Sequence, residues 1–488
     1  MVKKTVDEQL DEQLKKELIQ ESKEKNKISY KASFPNLVDL VENENHELEY
    51  LIFDPTSKSV SVSPSVIIDD RTYQPPPKNL LPHNLLFPRK EEVLHYIFER
   101  KNSKIEKSVS NSIKKDGIGD DGDDKTINKN VIFYWDVELY DQIIEYYHGR
   151  AELPEEGLYD VMTVWAFHTY CMERADFSPI IYFLGLPEKG KSRMLKSMIY
   201  IARRGLRKIS LTDAQVLRDC THIDATLALD MMNLWEKIEK AGSEDVFLNR
   251  PERGIDVSRV NRPEKGAFQD TDYYTVFGPT IFATNETIHE ILDTRAIPII
   301  MVNSKKEFTL KVQPEDALPI KEKLTAWRAS TMGDMWPDVG RIAKSRLGDI
   351  TQPLYQVLMN INPAREEAFK KMVHEIEKRR LAEKVDSTSG QIILALLYCQ
   401  DQIESGCIKG QLIANKYNEG NLNSKYNTQS RTILNKLRSM GLETRTLHGG
   451  SMGVVWNEDR INSLKIEFGI DIEIPKTEKQ QPELYYTK

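Results

Sequence analysis

The stretch that decides the fold reads Ile180-Ile181-Tyr182-Phe183-Leu184-Gly185-Leu186-Pro187-Glu188-Lys189-Gly190-Lys191-Ser192. An apolar run leads into the pattern Gly-x-x-x-x-Gly-Lys-Ser. Downstream, apolar residues repeat at the spacing of a helix face, at Met194, Leu195, Met198, Ile199 and Ala202. Gly205 stands where such a helix would end. The stretch therefore predicts a strand, a glycine loop and a helix, which is the context that a phosphate-binding loop requires.

The residues of this loop suit a nucleoside triphosphate. Backbone N–H groups of such a loop converge on phosphate oxygens, and the start of the helix adds positive potential. We expect Lys191 to reach the β- and γ-phosphates and the Ser192 hydroxyl to bind Mg²⁺. Gly185 and Gly190 allow the tight turn. The other residues expected to contact the nucleotide are Pro187, Glu188, Lys189 and Arg193. ATP and Mg²⁺ are thus the predicted cofactors, and an ordinary glycine turn is the alternative.

Composition excludes several classes of protein. The 488 residues are too many for one hydrophobic core, so about two to four domains are expected. With a net charge of -7, nucleic-acid binding needs a local basic surface rather than a basic chain. No apolar run approaches the ~20 residues of a membrane span, and the first residues lack a signal-peptide core. A cytoplasmic protein without a membrane partner is expected. The four cysteines show no zinc-ligand spacing and are predicted to be reduced structural thiols.

The N-terminal region reads as a small α+β domain over residues 1–100, with a charged leading segment. The elements predicted in it are a short helix at 37–41, strands at 49–53 and 65–68, and a helix at 91–100. Residues 101–130 are rich in Lys, Ser, Asn, Asp and Gly and are predicted to be a disordered acidic and polar linker. Their aspartates lack the ligand order of an EF-hand, so no calcium site is expected.

An α/β domain with a parallel sheet is predicted over residues 131–314. Its strands are expected at 180–184, 208–211, 225–230, 280–285 and 297–302, with helical stretches between them. Apolar strands that alternate with helices indicate a parallel sheet covered on both faces. Residues 315–386 read as helices only and are predicted to form a lid.

The C-terminal unit, residues 387–470, has the pattern of a winged helix. Helices are predicted at 392–402, 410–417 and 428–440, followed by a hairpin from 444–447 and 453–456. Arg431, Lys436 and Arg438 would lie on the third helix, where donors for DNA phosphates are needed. Winged helices also bind proteins, which is the alternative. Residues 471–488 are predicted to be a flexible tail.

Asp230 ends an apolar strand beyond the loop and is predicted to hold Mg²⁺. Hydrolysis usually needs a second carboxylate at the next position to orient the attacking water, but Met231 stands there. Glu236 and Glu239, one to two helical turns further on, are the nearest candidates. The alternatives are that one of them reaches back, that hydrolysis is slow, or that the site only binds.

Three further polar residues are candidates for phosphate recognition. Asn285 closes the fourth strand and could bond the γ-phosphate or the water, or serve only as a turn residue. Arg295 precedes the last strand, from which a guanidinium can project into a neighbouring subunit's site, or form a surface ion pair. Arg346 on the lid could also read the γ-phosphate.

Residues 248–265 form a locally basic segment in this acidic chain. Its cations are Arg250, Arg253, Arg259, Arg262 and Lys265. The apolar residues Ile255, Val257 and Val260 are compatible with a hairpin. A basic hairpin that faces the hole of a ring could grip a nucleic-acid backbone. The alternatives are a solvated loop and a subunit contact.

The order of these motifs resembles that of AAA+ ATPases of the MCM-like replication initiator-helicase type, which plasmids and mobile elements carry. The resemblance covers roughly residues 130–385 and extends to the winged helix. The segments that carry it are Gly185–Ser192, the strand to Asp230, Tyr274–Pro279, Ala283–Asn285, Thr294–Pro298 and Arg346–Ile350.

The resemblance implies a hexameric ring with ATP at the subunit interfaces. Lys191 and Ser192 would be the Walker A residues and Asp230 the Walker B aspartate. Asn285 would be sensor 1, Arg295 the finger that acts in trans, and Arg346 a second sensor. Residues 250–265 fall where a hairpin would point into the pore and hold single-stranded DNA. Met231 departs from the family pattern of Asp-Glu.

Three functions follow as hypotheses. The first is an ATP-dependent DNA helicase or replication initiator. The second is an ATP-binding scaffold or loader subunit that assembles on DNA and hydrolyses weakly. The third is a DNA-binding regulator led by its winged helix.

Overall fold

A five-stranded parallel sheet organises the larger part of this chain. The computed structural model describes residues 29–109, 130–420, 427–448 and 450–470. The chain divides into two compact units, with the boundary between Val373 and His374. The charged leading segment, most of the predicted linker and the predicted tail lie outside the described residues.

The strands are β1 (Ser29–Tyr30), β2 (Leu37–Glu42), β3 (Leu48–Asp54), β4 (Ser59–Ser63), β5 (Val66–Ile68), β6 (Arg71–Gln74), β7 (Ile105–Val109), β8 (Asn130–Phe133), β9 (Ile180–Leu184), β10 (Gly205–Lys208), β11 (Thr226–Asp230), β12 (Asp256–Val260), β13 (Thr271–Thr275), β14 (Thr280–Thr284), β15 (Ala296–Ile300), β16 (Cys407–Lys409), β17 (Thr444–Thr446) and β18 (Met452–Val455).

The helices are α1 (Lys90–Asn102), α2 (Tyr134–His148), α3 (Gly157–His168), α4 (Lys191–Ile201), α5 (Asp213–Ile223), α6 (Leu234–Ala241), α7 (Glu244–Asn249), α8 (Glu290–Asp293), α9 (Pro314–Thr331), α10 (Ser345–Ile361), α11 (Glu366–Asp386), α12 (Thr388–Tyr398), α13 (Gly410–Gly420), α14 (Ser430–Ser439) and α15 (Glu458–Phe468).

The main sheet has the order β10-β11-β14-β9-β15, and all its strands are parallel. Strands β9, β11 and β14 are buried almost throughout, as expected for a sheet covered on both faces. The predicted α/β fold with a parallel sheet is confirmed. Because β14 lies between β11 and β9, the loops that follow these three strands sit side by side at one edge.

The second strand does not lie where the sequence predicts it. The prediction of 208–211 is wrong: β10 spans Gly205–Lys208, and Ile209 is largely exposed. Helix α4 ends at Ile201, so Gly205 begins a strand instead of ending the helix. A Cβ at Gly205 would lie 1.9 Å from the carbonyl oxygen of Ile199. Glycine is therefore required by this close approach.

One element predicted in the N-terminal region is wrong, and β1, β4 and β6 were not predicted. Residues 37–41, predicted as a helix, form β2, which pairs antiparallel with β3. The first five residues of β2 are all buried, so both of its faces are covered and no alternation of apolar and polar residues marks it as a strand. The predicted strands at 49–53 and 65–68 and the helix at 91–100 correspond to β3, β5 and α1.

Residues 29–100 share a hydrophobic core with the parallel sheet. Leu40 and Tyr50 belong to the same buried cluster as Ile180, Leu227 and Phe282. The first helix of the predicted lid, α9, also packs against α1 and α4 inside this unit. The larger unit therefore shows no separation at the predicted boundaries of 100 and 314 within the described residues.

Asp39 lies at the centre of a buried charge cluster that joins β2 to the end of α4. Arg204 Nε donates to Asp39 Oδ1 at 2.8 Å, and Arg203 Nε lies 3.8 Å from Oδ2. Burial opposes ionisation of this carboxyl, but Arg204, Arg203 and Lys321 hold its pKa below the usual value. From α9, Arg328 Nε donates to the carbonyl oxygen of Val38 at 2.9 Å.

The smaller unit follows the order helix, strand, helix, helix and two strands, and α15 comes after them. Strands β16, β18 and β17 form an antiparallel sheet. Its buried core includes Leu396, Ile433, Leu437 and Val454. The three predicted helices and the predicted hairpin correspond to α12, α13, α14 and β17–β18, while β16 and α15 were not predicted. The assignment as a winged helix stays a prediction.

No helix in residues 29–109, 130–420, 427–448 and 450–470 is long and apolar enough to cross a membrane. The four cysteines are buried and free.

We predict that Asp39→Asn lowers the free energy of unfolding by about 3–5 kcal/mol, because it removes the buried negative charge that faces the guanidinium groups of Arg203 and Arg204. Urea denaturation of the full chain measures this change. Asp70→Asn, at an exposed turn residue, is the matched control and should stay within about 0.5 kcal/mol of the parent. Equal effects of the two substitutions would contradict a role for the buried cluster.

Candidate nucleotide-binding site

The loop between β9 and α4 has the backbone that a phosphate-binding loop needs. A Cβ at Gly185 would lie 2.7 Å from the carbonyl oxygen of Met301, so a larger residue cannot fit without movement. Gly190 has a φ of 83°, a left-handed conformation that favours glycine, and directly precedes the first turn of α4. The loop thus delivers the chain to an N-terminal helix end, where backbone N–H groups can bind an anion.

Lys191, Ser192 and Asp230 come together at the carboxyl edge of the sheet. Ser192 Oγ donates to Asp230 Oδ1 at 2.8 Å. Lys191 Nζ donates to the carbonyl oxygens of Gly185 and Leu186, both at 2.6 Å. Partial burial lowers the pKa of Lys191, Lys189 acts in the same direction, and Asp230 opposes both. The strand that ends in Asp230 therefore places a carboxylate beside the loop serine.

A cavity of about 890 Å³ opens at this edge. Among the predicted residues it is lined by Pro187, Glu188, Lys189, Gly190, Lys191, Ser192, Arg193, Asp230 and Asn285. Residues that sequence reasoning did not select also line it, namely Lys196, Tyr200, Met231, Met232, Ala283, Thr284, Lys311, Val312 and Gln313. The structure therefore brings the predicted loop, strand-end acid and strand-end amide into one site.

The charge of the cavity favours an anion. Its cationic side chains are Lys189, Lys191, Arg193, Lys196 and Lys311, against two carboxylates, Glu188 and Asp230. The described residues contain no group of three or more His, Cys, Asp or Glu side chains that could hold a metal ion. The pair of Ser192 and Asp230 fits Mg²⁺ because this ion takes few protein ligands and is bound largely by phosphate oxygens and water.

Residues 301–313 cross the loop and complete the cavity. Met301 N donates to the carbonyl oxygen of Leu184 at 2.7 Å, and Lys189 Nζ donates to Asn303 Oδ1. Arg193 Nη2 donates to the carbonyl oxygen of Leu310. The sequence carried no signal for this segment because it is irregular and lies far along the chain from the loop.

Glu236, predicted as a catalytic acid, does not line the cavity. It lies exposed on α6, where Lys240 Nζ donates to its Oε1 at 2.5 Å and Asn233 Nδ2 to its Oε2 at 3.2 Å. These bonds lower the pKa of Glu236. Asn233 is left-handed, with φ 52°, and redirects the chain before α6. Glu239 is exposed on the same helix.

Arg295 and Arg346 lie close together. They are near the end of the sheet where the parallel strands begin, whereas the loop lies where the strands end. Arg295 directly precedes β15, whose first residue pairs with Ile180 at the start of β9. The four residue steps of β9 put roughly 13 Å between this edge and the loop. Arg346 Nη1 lies 3.3 Å from Glu252 Oε2, and Arg295 Nη2 lies 4.0 Å from the same oxygen. One carboxylate thus faces two guanidinium groups.

The side chain of Arg295 is partly buried. This burial and the neighbouring Arg346 lower the pKa of Arg295, while Glu252 acts in the opposite direction. Neither arginine lines the cavity of its own chain. The expectation that Arg346 reads a γ-phosphate stays a prediction.

Arg250 is wrongly predicted as a nucleic-acid contact. Its side chain is 1% exposed and its guanidinium is enclosed by the main sheet. Arg250 Nε donates to Thr280 Oγ1 at 2.9 Å and Nη1 to the carbonyl oxygen of Val276 at 2.7 Å. Nη2 donates to the carbonyl oxygens of Ala225 and Pro279. Arg250 therefore joins strand ends and is inaccessible to a polynucleotide.

The other cations of this segment divide into two groups. Arg253 Nε donates to the carbonyl oxygen of Ala175 at 2.7 Å, and Arg259 forms ion pairs with Asp213 and Asp245. Arg253 lies just before the hairpin formed by β12 and β13, and Arg259 lies on β12 close to the tip, so the side chains of both are already engaged within the larger unit. Beyond the strands, the tip (residues 261–270) carries exposed Arg262 and Lys265, and Arg262 lies 3.2 Å from Asp272.

An aromatic residue that sequence reasoning missed stands on the tip. Phe268 is fully exposed and has a φ of 71°, which is unusual for an aromatic residue. Val260 and Tyr273 on the strands are also largely exposed. In the smaller unit, Arg431, Lys436 and Arg438 are exposed on α14; Arg431 and Arg438 share one face, and Lys436 lies on another.

Comparisons with known proteins assign no family. No protein-family model and no curated protein matches the chain. Two solved structures of the NrS-1 C-terminal region are similar at 12% and 10% identity, with TM-scores of 0.34 and 0.33. They cover 83% and 86% of this chain, and 83% and 96% of those chains. The Aeropyrum pernix ORC1 protein in complex with DNA is similar at 10% identity and a TM-score of 0.18, over 65% of this chain and 94% of that chain.

We predict that Arg250→Met lowers the free energy of unfolding by about 1–3 kcal/mol or more, because several buried carbonyl oxygens lose their donors. Chemical denaturation of the full chain measures the loss. Arg262→Met on the exposed tip is the control and should leave stability nearly unchanged. A loss of nucleic-acid affinity by Arg250→Met without any loss of stability would contradict a structural role.

Proposed function

We propose that this protein is an AAA+ ATPase that acts on DNA as a ring-shaped helicase or replication initiator. The observation that carries the proposal is the meeting of Lys191, Ser192 and Asp230 at one edge of a parallel sheet, in a cavity with an excess of cations. Such an arrangement suits a nucleoside triphosphate with its divalent cation.

Four residues of the cavity have specific roles in this proposal. Lys191 releases its backbone carbonyl partners and binds the terminal phosphates. Ser192 and Asp230 hold Mg²⁺, which neutralises charge on the phosphates when bound. Asn285, at the end of the strand between those of the loop and of Asp230, orients the water or the γ-phosphate.

A neighbouring copy completes the site. Arg295 and Arg346 share one carboxylate, Glu252, so this edge of the chain retains positive charge. Both lie near the end of the sheet opposite to their own loop. This position suits contact with the nucleotide of a second subunit. Head-to-tail contacts of this kind close into a ring, and a hexamer is the proposed form.

The hairpin of β12 and β13 is the proposed contact for single-stranded DNA. Its tip combines an exposed aromatic ring, Phe268, with the cations Arg262 and Lys265. Aromatic faces stack on bases of any sequence, and cations neutralise phosphates. The unit with α14, taken as a winged helix, would hold duplex DNA through Arg431, Lys436 and Arg438.

An ATP-binding scaffold or loader is the second candidate. It is favoured by Met231, which lines the cavity beside Asp230, and by the position of Glu236 outside it. A site without a carboxylate to orient water would keep its nucleotide bound, and the nucleotide would then stabilise the subunit interface. ATP turnover that DNA stimulates supports the motor, whereas tight ATP binding without phosphate release supports the scaffold. Sequence-specific DNA binding by the smaller unit would instead support a regulator.

We predict that Lys191→Ala abolishes ATP binding, and that Arg295→Ala retains binding but loses turnover by about a thousandfold or more. The reason is that Lys191 acts in its own site and Arg295 in that of a neighbour. Binding of a fluorescent ATP analogue and phosphate release are the measurements.

Mixing the two inactive variants tests the shared site directly. In an equal mixture about a quarter of the interfaces unite an intact loop with an intact arginine, so turnover should reappear. The same amount of either variant alone is the control. A mixture that stays inactive, although it assembles as the parent does, would exclude the trans role of Arg295.

We predict that Phe268→Ala weakens binding of single-stranded DNA by about 1–3 kcal/mol per stacked base without changing its salt dependence. Lys265→Ala should instead reduce the slope of log affinity against log salt by about 0.7. Fluorescence anisotropy with an oligonucleotide at several salt concentrations measures both. Phe98→Ala, at an exposed aromatic residue of α1, is the control. An effect of Phe98→Ala as large as that of Phe268→Ala would rule out stacking at the tip.

A further inference from the structure

Arg207 binds the carboxylate that the proposed function assigns to Mg²⁺. Arg207 Nη2 donates to Asp230 Oδ2 at 2.6 Å, and Nε donates to the same oxygen at 3.1 Å. The other oxygen, Oδ1, accepts from Ser192 Oγ at 2.8 Å. Asp230 is therefore held from two sides, by the loop hydroxyl and by a guanidinium.

The sheet explains why Arg207 reaches this position. Arg207 on β10 pairs with Ala228 on β11, and Asp230 lies two residues further along β11 on the same face. A long side chain can span this diagonal between neighbouring strands. The backbone of Arg207 is itself fixed, because Asn84 Nδ2 donates to its carbonyl oxygen at 2.7 Å.

This ion pair stands at the rim of the cavity rather than in the core. The side chain of Arg207 is 31% exposed and that of Asp230 is 12% exposed. By contrast, the ion pair of Arg204 with Asp39 is almost completely buried. Asp230 lines the cavity, so a ligand that enters it can reach the carboxylate that Arg207 binds.

A cation that occupies one carboxylate oxygen changes what the other oxygen can bind. Mg²⁺ needs oxygen ligands and usually takes only one or two carboxylates from a protein. A guanidinium within hydrogen-bond distance of Asp230 repels a second cation at the same group and cancels the negative charge that attracts it. The cavity already has more cationic than anionic side chains. With the charge of Asp230 cancelled by Arg207, little negative charge of the protein remains to attract the metal.

We propose that Arg207 competes with Mg²⁺ for Asp230 and thereby sets the concentration of Mg²⁺ that the nucleotide site requires. The proposal rests on the proposed function, since it takes Asp230 as the metal-binding carboxylate. Arg207 acts through Asp230 and is a positioning residue. With the guanidinium in place, the phosphates of the nucleotide supply most of the attraction for the metal, so metal and nucleotide bind together.

Nucleotide binding as a function of Mg²⁺ tests this proposal. The full chain is titrated with Mg²⁺, from excess EDTA upward, at a fixed concentration of a fluorescent ATP analogue. Arg207→Gln should lower the Mg²⁺ concentration at half-maximal binding by about tenfold, because it removes a positive charge near the metal. Arg207→Lys keeps the charge but loses the two-donor fork, and its midpoint should fall between those of the parent and Arg207→Gln.

The matched control is Arg218→Gln, which makes the same charge change at an exposed position of α5 and should leave the midpoint unmoved. A structural ion pair alone would lower the melting temperature of Arg207→Gln without moving its midpoint. An unmoved midpoint in a variant that still binds the analogue therefore overturns the proposal and leaves the proposed function standing. If the parent itself binds no analogue at any Mg²⁺ concentration, the proposed function fails, and this proposal with it.

Discussion

The parallel register of three adjacent strands is the constraint on which the candidate site depends. Thr284 pairs with Leu184, and Asp230 pairs with Ala283, so β9, β14 and β11 end almost level with one another. Their carboxyl ends must then meet at one edge, which is where ligands bind in open α/β sheets. The loop, the acid and the amide come from three segments spread over about a hundred residues, from Gly185 to Asn285. The parallel register of the strands brings them together.

The same rule separates the two kinds of charged group in the molecule. Residues that follow the strands face the cavity of their own chain, whereas Arg295, which precedes a strand, faces away from it. In the proposed ring, a chain built in this way would contribute one half of a phosphate site at each end of its parallel strands. The shared acid Glu252 keeps the two arginines of the second half close to each other without neutralising both.

Sequence reasoning succeeded where the signal was local. The loop motif and the apolar strands around it were found because glycine spacing and apolar runs mark them directly. It failed where contacts between distant parts of the chain determine the conformation or the exposure of a residue. Residues 37–41 look helical because β2 is buried on both faces. Arg250 looks like a solvent-facing cation because the carbonyl groups that surround it come from two distant segments. Arg207 escaped notice because the second strand was placed three residues too late.

The buried cluster at Asp39 has a consequence for how this protein can be divided. Helix α4 starts at the phosphate-binding loop, and the two arginines that follow its last turn are matched by an acid from β2. Cutting the chain near residue 100 would remove Asp39 from these arginines, leave Arg204 with the more exposed Asp224 at 3.7 Å, and expose the apolar surface around them. A fragment shortened in this way would have exposed charge and apolar surface at the far end of α4, and its poor behaviour would say little about the intact chain.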